Sequence, residues 1–449
     1  MDSPKVVGPA PRLRGALQMP GDKSISHRAL MFALLSEGES RVLGAGDGAD
    51  VRSTAGIVRA LGATVERGVD ETGNLAYRVV SPGCAGLAVA PGTLDCGNAG
   101  TSLRLFAGII AGTDMTATLD GDASLRRRPM ARVIEPLRAM GATVAATHDD
   151  DRAPLLIAGH TGLDAIDWTI PMPSAQVKSA ILLAGLHANG TTRVREAVAT
   201  RDHTERMLRA RGVAVRTGAD VGPGVVIEIE GGATMRAMEE RVPGDPSAAA
   251  FWLVAGAVHP DAELTLRAVG TNPTRRGIVD LLTRMGAQID ERPLEDSPKD
   301  AAGSAAIGEP LADFVVRSSE LRAIDVRPDE VARTIDEIPI LCLAATQAIG
   351  RTTIRGAGEL RHKESDRLAG ILAGLRALGA NIRVDHDDIV IIGPTRLRGA
   401  PTDSLDDHRL AMTFAIAGLI AADPTTVGRP GSVAISYPGF FRDLERIRA

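Results

Sequence analysis

Aromatic side chains are scarce. Two Trp, two Tyr and seven Phe make up 2% of the 449 residues. Base-stacking platforms are correspondingly few, so arginine clusters are read as local sites. Lys and Arg total 51 against 56 Asp and Glu, a net charge of -5. That balance does not point to a nucleic-acid partner. Only three cysteines occur, Cys84, Cys96 and Cys342, far apart and without ligand spacing. They fit a reducing compartment and carry no structural zinc pattern. Apolar runs such as 107–110 and 415–422 are too short to span a bilayer. The opening MDSPKVVGPAPRLRG has no apolar stretch like a signal peptide. The expectation is a soluble cytoplasmic protein with no membrane or nucleic-acid partner. No Walker A loop, no dinucleotide fingerprint opening a βαβ unit and no G-x-S-x-G elbow is present. No metal and no cofactor is expected.

What is present is length, repetition and glycine. A chain of this size suits two or more domains, each with its own core. Five segments share one pattern: VRALGATVERG, LRAMGATVAAT, LRARGVAVRTG, LTRMGAQIDER and LRALGANIRVD. Each reads as a last helical turn, a glycine terminator and a short alternating strand. Gly62, Gly141, Gly212, Gly286 and Gly379 suit the left-handed position after a helix. Successive glycines lie 79, 71, 74 and 93 residues apart. That is too long for a small solenoid repeat and suits a βαβαββ-sized module. A sixth module is expected between Ser404 and the C-terminus, without the same ending. Boundaries are expected near Gly21 and between Arg241 and Asp245. There VPGDPSAAAFWLVAGAV repeats the form of PGDKSISHRALMFALL, which implies two pseudo-equivalent halves. The polar stretch from Glu291 to Pro310 reads as an exposed excursion.

Polar and basic residues recur at the starts of apolar helices. Pro20 to Arg28 places Lys23, Ser24 and Arg28 near one positive helix end, with Asp22 or Ser24 able to cap it. Asp95 to Arg104 offers Asn98, Gly100 and Thr101 in a tight turn that can cradle a carboxylate or phosphate. Arg126, Arg127 and Arg128 precede Pro129, which suits a first helical position. At least one of these arginines is a candidate anion clamp. Ser174 and Gln176 open another helix and can bond a hydroxylated or phosphorylated substrate. Arg201 is the candidate phosphate contact of the next, where His203 can equally be a surface residue. Asp336 and Glu337 cannot share a helix face, so at most one meets a given substrate atom. Lys363 and Arg367 are four apart and can align, with Glu364 beside Lys363. Asp407, His408 and Arg409 repeat the theme. Converging helix starts of this kind make an anion-selective site, and the carboxylates and lysines add proton transfer. A solvated basic patch or ion-paired helix explains each motif singly, but not their recurrence in both halves.

In this order PGDKSISHR, GNAGTSLR, SLRRRPM, PSAQVKSA, TRDHTERM, IDEIPI, LRHKESDRL and DDHRLAM resemble the 5-enolpyruvylshikimate-3-phosphate synthase family over nearly the whole chain. The resemblance implies an α/β fold of two domains, each of three βαβαββ units with buried helices. The halves would be residues 22–243, mainly binding shikimate 3-phosphate, and 1–21 with 244–449, supplying acid–base and phosphoenolpyruvate-binding residues. One strand from the first twenty or so residues would join the C-terminal half. The implied reaction moves enolpyruvyl from phosphoenolpyruvate to the 5-hydroxyl of shikimate 3-phosphate, the sixth step towards chorismate and the aromatic amino acids. The family implies Lys23, Asn98, Gly100, Arg128, Gln176, Arg367, His408 and Arg409 for phosphoenolpyruvate. It implies Ser24, Arg28, Ser174, Ala175, Gln176, Arg201, Asp336 and Lys363 for shikimate 3-phosphate. Lys23, Asp336 and Glu364 would be catalytic, Glu364 shuttling a proton at the methylene carbon. Both substrates are small molecules, domain closure is expected, and the protein would be a monomer.

The chain also departs from many members. Ala175 stands where a second serine is common, Ile435 where a lysine is common, and His203 where some have tyrosine. These features resemble the subgroup that includes glyphosate-tolerant enzymes, yet Gly100 is not the alanine of the best-known tolerant members. Inhibition by glyphosate is therefore expected. The related transferases acting on a uridine-diphosphate amino sugar usually have a cysteine before the arginine–proline element and K-N near the start. Residues 121–128 contain no cysteine, and Ser24 follows Lys23. A non-catalytic phosphometabolite binder would leave Asp336, Lys363 and Glu364 unexplained.

Overall fold

The computed structural model describes residues 3–88, 92–147, 150–220, 224–294 and 309–448. Most of the polar excursion expected over 291–310 lies outside them. The chain divides into two compact units. One comprises Lys23–Val242 and Pro298–Glu309, the other Met1–Asp22, Pro243–Ser297 and Pro310–Ala449.

Three buried helices define the N-terminal unit: α1 (Lys23–Leu35), α2 (Gly100–Ala111) and α3 (Ala175–Gly185). Each belongs to a four-stranded sheet of one recurring order. Thr93–Asp95 runs parallel to Thr116–Asp120, which pairs antiparallel with Arg152–Ala158, which pairs antiparallel with Thr143–Thr147. Asp167–Ile170, Thr191–Glu196, Val225–Glu230 and Val215–Ala219 repeat this order. In the third sheet the parallel edge strand is Glu239–Arg241, from the far end of the unit, beside Glu37–Leu43.

The C-terminal unit repeats the plan around α4 (Pro246–Val258), α5 (Ile338–Gln347) and α6 (His408–Ile420). Its first sheet opens with Leu13–Gln18, parallel to Ala262–Gly270. Its last has three strands, Pro401–Asp403, Thr425–Gly428 and Lys5–Val7, the final pair antiparallel. Two strands from the opening of the chain therefore join this unit, where one was expected. The second completes the module whose own C-terminal end carries no further strand of that sheet.

Beyond their first turns the helices are buried on almost every side and largely apolar, because they are core elements rather than surface ones. Every residue of α1 from Ile25 to Leu35 is buried, as is every residue of α4 from Pro246 to Ala257. Small residues set the spacing. A Cβ added to Gly108 of α2 would lie 2.2 Å from the carbonyl oxygen of Ala180 in α3. The five terminator glycines have φ between 90° and 101°, where a side chain would be strained. An arginine in the preceding helical turn stitches four of these corners. Arg59, Arg138, Arg209 and Arg376 donate from Nε to the carbonyls of Val65, Val144, Val215 and Ile382 at 2.9–3.1 Å. The three cysteines are free thiols. Among the described residues no helix is long and apolar enough to cross a membrane.

Candidate active site

In the N-terminal unit the polar residues sit where buried helices begin. Lys23 opens α1, half-buried, its Nζ 3.1 Å from Asp50 Oδ2. Arg28, one turn on, is buried. It donates from Nη1 to the Ser24 carbonyl at 2.9 Å, from Nε to Thr204 Oγ1 at 2.8 Å and from Nη2 to Ser179 Oγ at 2.8 Å. Its guanidinium is thus fixed before any ligand arrives.

Asn98 lies in the turn before α2. Its Oδ1 accepts from Arg128 Nη2 at 2.6 Å and its Nδ2 donates to Asp122 at 2.8 Å. Gly100 begins α2 under two guanidiniums. A Cβ there would stand 3.0 Å from Arg104 Nη1 and 3.2 Å from Arg128 Nη1. Ser174 caps α3, accepting from the Val177 amide, with Ala175 the first helical residue. The Gln176 amide is clamped on both sides. Its Oε1 accepts from Arg104 Nη1 at 2.6 Å and its Nε2 donates to Thr101 Oγ1 at 2.9 Å. Arg201 is half-buried in the turn before the helix His203–Ala210.

The C-terminal unit gathers carboxylates around buried arginines. Arg367 donates from Nη2 to Glu364 Oε2 at 2.5 Å and from Nε to Asp407 Oδ2 at 2.7 Å. Its Nη1 is 3.5 Å from Asp336 Oδ1, and Arg409 Nη2 is 3.6 Å from Asp336 Oδ2. Burial works against the Arg367 charge, but Asp407, Glu364 and Asp336 outweigh it and hold the guanidinium ionised. Half-buried Lys363 is shifted the other way. Burial lowers its pKa, although Asp336, Glu359 and Glu364 favour its charge and Arg367 opposes it. Glu337 turns away from Asp336, as two neighbours that cannot share a helix face must. It accepts from Ser247 in α4, beside the buried Arg275. His408, the first residue of α6, is fully buried.

Several local expectations are corrected. Pro129 is not at a first helical position. Leu125–Arg127 forms a 3-10 turn and the helix begins at Ala131. Lys363 and Arg367 do not align on one helix, because Lys363 and Glu364 lie in the turn before a helix that starts at Arg367. His203 is not a surface residue; it is buried, with Nδ1 2.6 Å from Glu309 Oε1. Arg104 was not singled out as a ligand-site residue, and Asp407 only as one of the residues at a helix start, yet they hold Gln176 and Arg367. Arg104 stands 72 positions from Gln176, and only its place one turn after Gly100 hinted at a role. Among the described residues no group of three His, Cys, Asp or Glu side chains is set to hold a metal ion.

This arrangement suits binding of phosphorylated and carboxylated small molecules, with carboxyl and ammonium groups available for proton transfer. Comparison with known proteins agrees with that chemistry. The family described as EPSP synthase (3-phosphoshikimate 1-carboxyvinyltransferase) matches residues 7–444. The 3-phosphoshikimate 1-carboxyvinyltransferase of Gloeobacter violaceus is 48% identical over 443 residues, 98% of each chain. That of Bacillus cereus is 43% identical over 435 residues, 97% of each. Among solved structures, EPSP synthase from Acinetobacter baumannii superposes with a TM-score of 0.84 at 38% identity, covering 99% of this chain and 98% of that one. The enolpyruvyl transferase NikO from Streptomyces tendae shares the fold, with a TM-score of 0.76 at 20% identity over 98% of this chain and 96% of its own. The match runs through all six modules and both sets of helix starts, and the chain belongs to the EPSP synthase (3-phosphoshikimate 1-carboxyvinyltransferase) family.

Proposed function

We propose that this chain transfers the enolpyruvyl group of phosphoenolpyruvate to the 5-hydroxyl of shikimate 3-phosphate, releasing phosphate. The observation that carries the reading is the grouping of Asp336, Lys363 and Glu364 around Arg367 and Arg409. A binding protein needs the arginines and a counter-charge, which the buried Asp407 supplies; the half-buried Asp336 and Glu364 beside Lys363 add groups suited to proton transfer.

Ser24, Arg28, Ser174, Gln176, Arg201, Asp336 and Lys363 are assigned to shikimate 3-phosphate, Ala175 contributing backbone only. Lys23, Asn98, Gly100, Arg128, Gln176, Arg367 and Arg409 are assigned to phosphoenolpyruvate, with His408 adjacent to Arg409 in the chain. In the addition step the 5-hydroxyl oxygen bonds to the central carbon of phosphoenolpyruvate. Its proton passes to Asp336, and Glu364 delivers a proton to the methylene carbon. In the elimination step Glu364 takes a methyl proton back, the double bond re-forms and the carbon–oxygen bond to phosphate breaks. Lysine and arginine charges stabilise the leaving phosphate, and the proton left on Asp336 is passed on to that phosphate through solvent, which restores the carboxylate. At rest Arg367 donates to Glu364 Oε2. A bound anion competing for that guanidinium would free the carboxylate to take up a proton.

Phosphate release dependent on both substrates tests the assignment, with the uridine-diphosphate amino sugar as the competing acceptor. Turnover with the amino sugar alone would overturn it. Within the family we place the chain beside the glyphosate-tolerant subgroup by Ala175, His203 and Ile435, but as a glyphosate-sensitive target because position 100 is glycine.

A further inference from the structure

Lys178 lies in α3, half a turn beyond Gln176, and its side chain is 1% exposed. Its Nζ stands 2.9 Å from Glu196 Oε2 and 2.8 Å from Glu205 Oε1, both carboxylates equally sealed from solvent. Burial opposes the ammonium charge, and the carboxylates of Glu205 and Glu196 outweigh that opposition. An apolar residue would fill this position without any such compensation, so packing alone does not explain the triad.

One ammonium facing two carboxylates leaves an excess of negative charge. Thr200 meets it from the far side. Its hydroxyl donates to Glu196 Oε1 and its backbone amide to Glu196 Oε2 at 3.4 Å. Thr200 immediately precedes Arg201. A second, neutral link runs alongside. Ser179, next to Lys178, is 2.7 Å from Thr204, next to Glu205, and Arg28 donates to both. The turn carrying Arg201 is thereby fastened at two points to α3, whose first turn carries Ser174, Ala175 and Gln176.

We propose that Lys178 is a positioning residue for the substrate phosphate. Through Glu196 and Thr200 it fixes the Arg201 turn relative to the start of α3. The ammonium is too deeply buried to touch a ligand, so it acts through residues that do. Phosphate recognition depends on donors held to within a fraction of an ångström, which is what a buried charged tie supplies. The proposal rests on the assignment of Ser174, Gln176 and Arg201 to the phosphate of shikimate 3-phosphate.

The test compares wild type, Lys178→Met, Thr200→Val and Thr200→Ser by calorimetric titration with shikimate 3-phosphate and by steady-state kinetics. Wild-type turnover of shikimate 3-phosphate checks the underlying assignment. Its absence would refute the substrate, whatever Lys178 does. Given turnover, Lys178→Met is expected to raise Kd and KM for shikimate 3-phosphate about tenfold or more, with KM for phosphoenolpyruvate within about twofold. Thr200→Val cuts the tie while keeping the Lys178 ammonium between Glu196 and Glu205, and should raise the same constants about fivefold, while Thr200→Ser restores them. Combined with Arg201→Ala, each effect should be far less than additive, because both act on one contact. Circular dichroism checks folding, and Thr200→Val decides alone if Lys178→Met does not fold. Unchanged affinity in folded Thr200→Val, or an equal rise in both KM values, would overturn the proposal.

Discussion

Arg367 and Asp407 form an ion pair sealed inside the C-terminal unit, Nε to Oδ2 at 2.7 Å, with side-chain exposures of 1% and 0%. Asp407 simultaneously accepts from the backbone amide of Arg409 and from Ser365. One carboxylate therefore caps α6, anchors the turn after Glu364 and neutralises the arginine that holds Glu364. Asp407→Ala would leave a buried guanidinium short of its main partner. Removing one member of a buried pair typically destabilises by about 3–5 kcal/mol. The expected result is a large fall in Tm and loss of activity together. Asp407→Asn keeps the acceptor for the cap and should recover part of the Tm but little of the kcat. Thermal melts beside kinetics check this; a Tm unchanged in Asp407→Ala would refute the structural role.

Glu364 carries a different prediction. It is half-buried and tied to Arg367, so Glu364→Gln keeps the shape and an acceptor while removing the transferable proton. General acid–base groups typically contribute 10²–10⁴-fold, so kcat should fall by roughly that range. Kd for shikimate 3-phosphate should hold within about twofold of wild type if this side chain acts on proton transfer alone. Single-turnover rates with wild-type speed would remove Glu364 from the chemistry.

Lys363 sets a pH dependence. Burial lowers its pKa, so the ammonium loses its proton at a lower pH than an exposed lysine, ordinarily near about 10.4. If that charge holds the shikimate moiety, kcat/KM falls on the basic side sooner than an ordinary lysine would allow. The linked stability effect has the opposite trend. Across the window between the lowered folded pKa and the unfolded one, the unfolded chain binds more protons, so this group's unfavourable contribution shrinks as pH rises. Lys363→Arg keeps the charge and should move the basic limb upward even if overall activity drops. Superimposable limbs in the two proteins would exclude Lys363 as their source.

Much of this architecture was legible because glycine has a local physical signature. Gly62, Gly141, Gly212, Gly286 and Gly379 all take positive φ at helix ends, as their spacing and context implied. A strand comes after each of them, as the alternation required. The stitching role of Arg59, Arg138, Arg209 and Arg376 was not legible, although the arginine recurs beside each glycine. Exposed arginine is the default reading of such a position, and only the folded corner shows the carbonyl it meets. The same holds for Lys178, a charged residue whose side chain is buried. The pairing of Lys5–Val7 with Thr425–Gly428 joins opposite ends of the chain, which no local pattern encodes. Within the candidate site, the starts of α3 and α6 were readable from turn and capping residues, whereas those beyond Arg128 and Lys363 were misplaced. The contacts that orient them, Arg104 on Gln176 and Asp407 on Arg367, come from sequence-distant elements and needed the fold.

Gly100 is where a single methyl group should have the most selective consequence. An alanine Cβ would sit 3.0 Å from Arg104 Nη1 and 3.2 Å from Arg128 Nη1, closer than ordinary contact. Both neighbours are ends of flexible side chains, so the helix survives and the guanidiniums give way by a few tenths of an ångström. Arg104 would then shift against Gln176, and Arg128 against Asn98, the side-chain amides that each holds. Stability should change by less than about 1 kcal/mol, since nothing apolar is uncovered and no buried donor is removed. The anion site should feel more, because its donors move while its fold does not. Gly100→Ala is expected to raise KM for phosphoenolpyruvate and to raise the glyphosate concentration giving half-inhibition by a larger factor. KM for shikimate 3-phosphate should rise less than KM for phosphoenolpyruvate, because Arg28 and Arg201 do not border the added methyl and Gln176 alone among its assigned contacts is shifted. Inhibition curves for the two proteins at matched phosphoenolpyruvate saturation decide the matter. Equal glyphosate sensitivity in both would show that the space over Gly100 is not part of the inhibitor-binding surface.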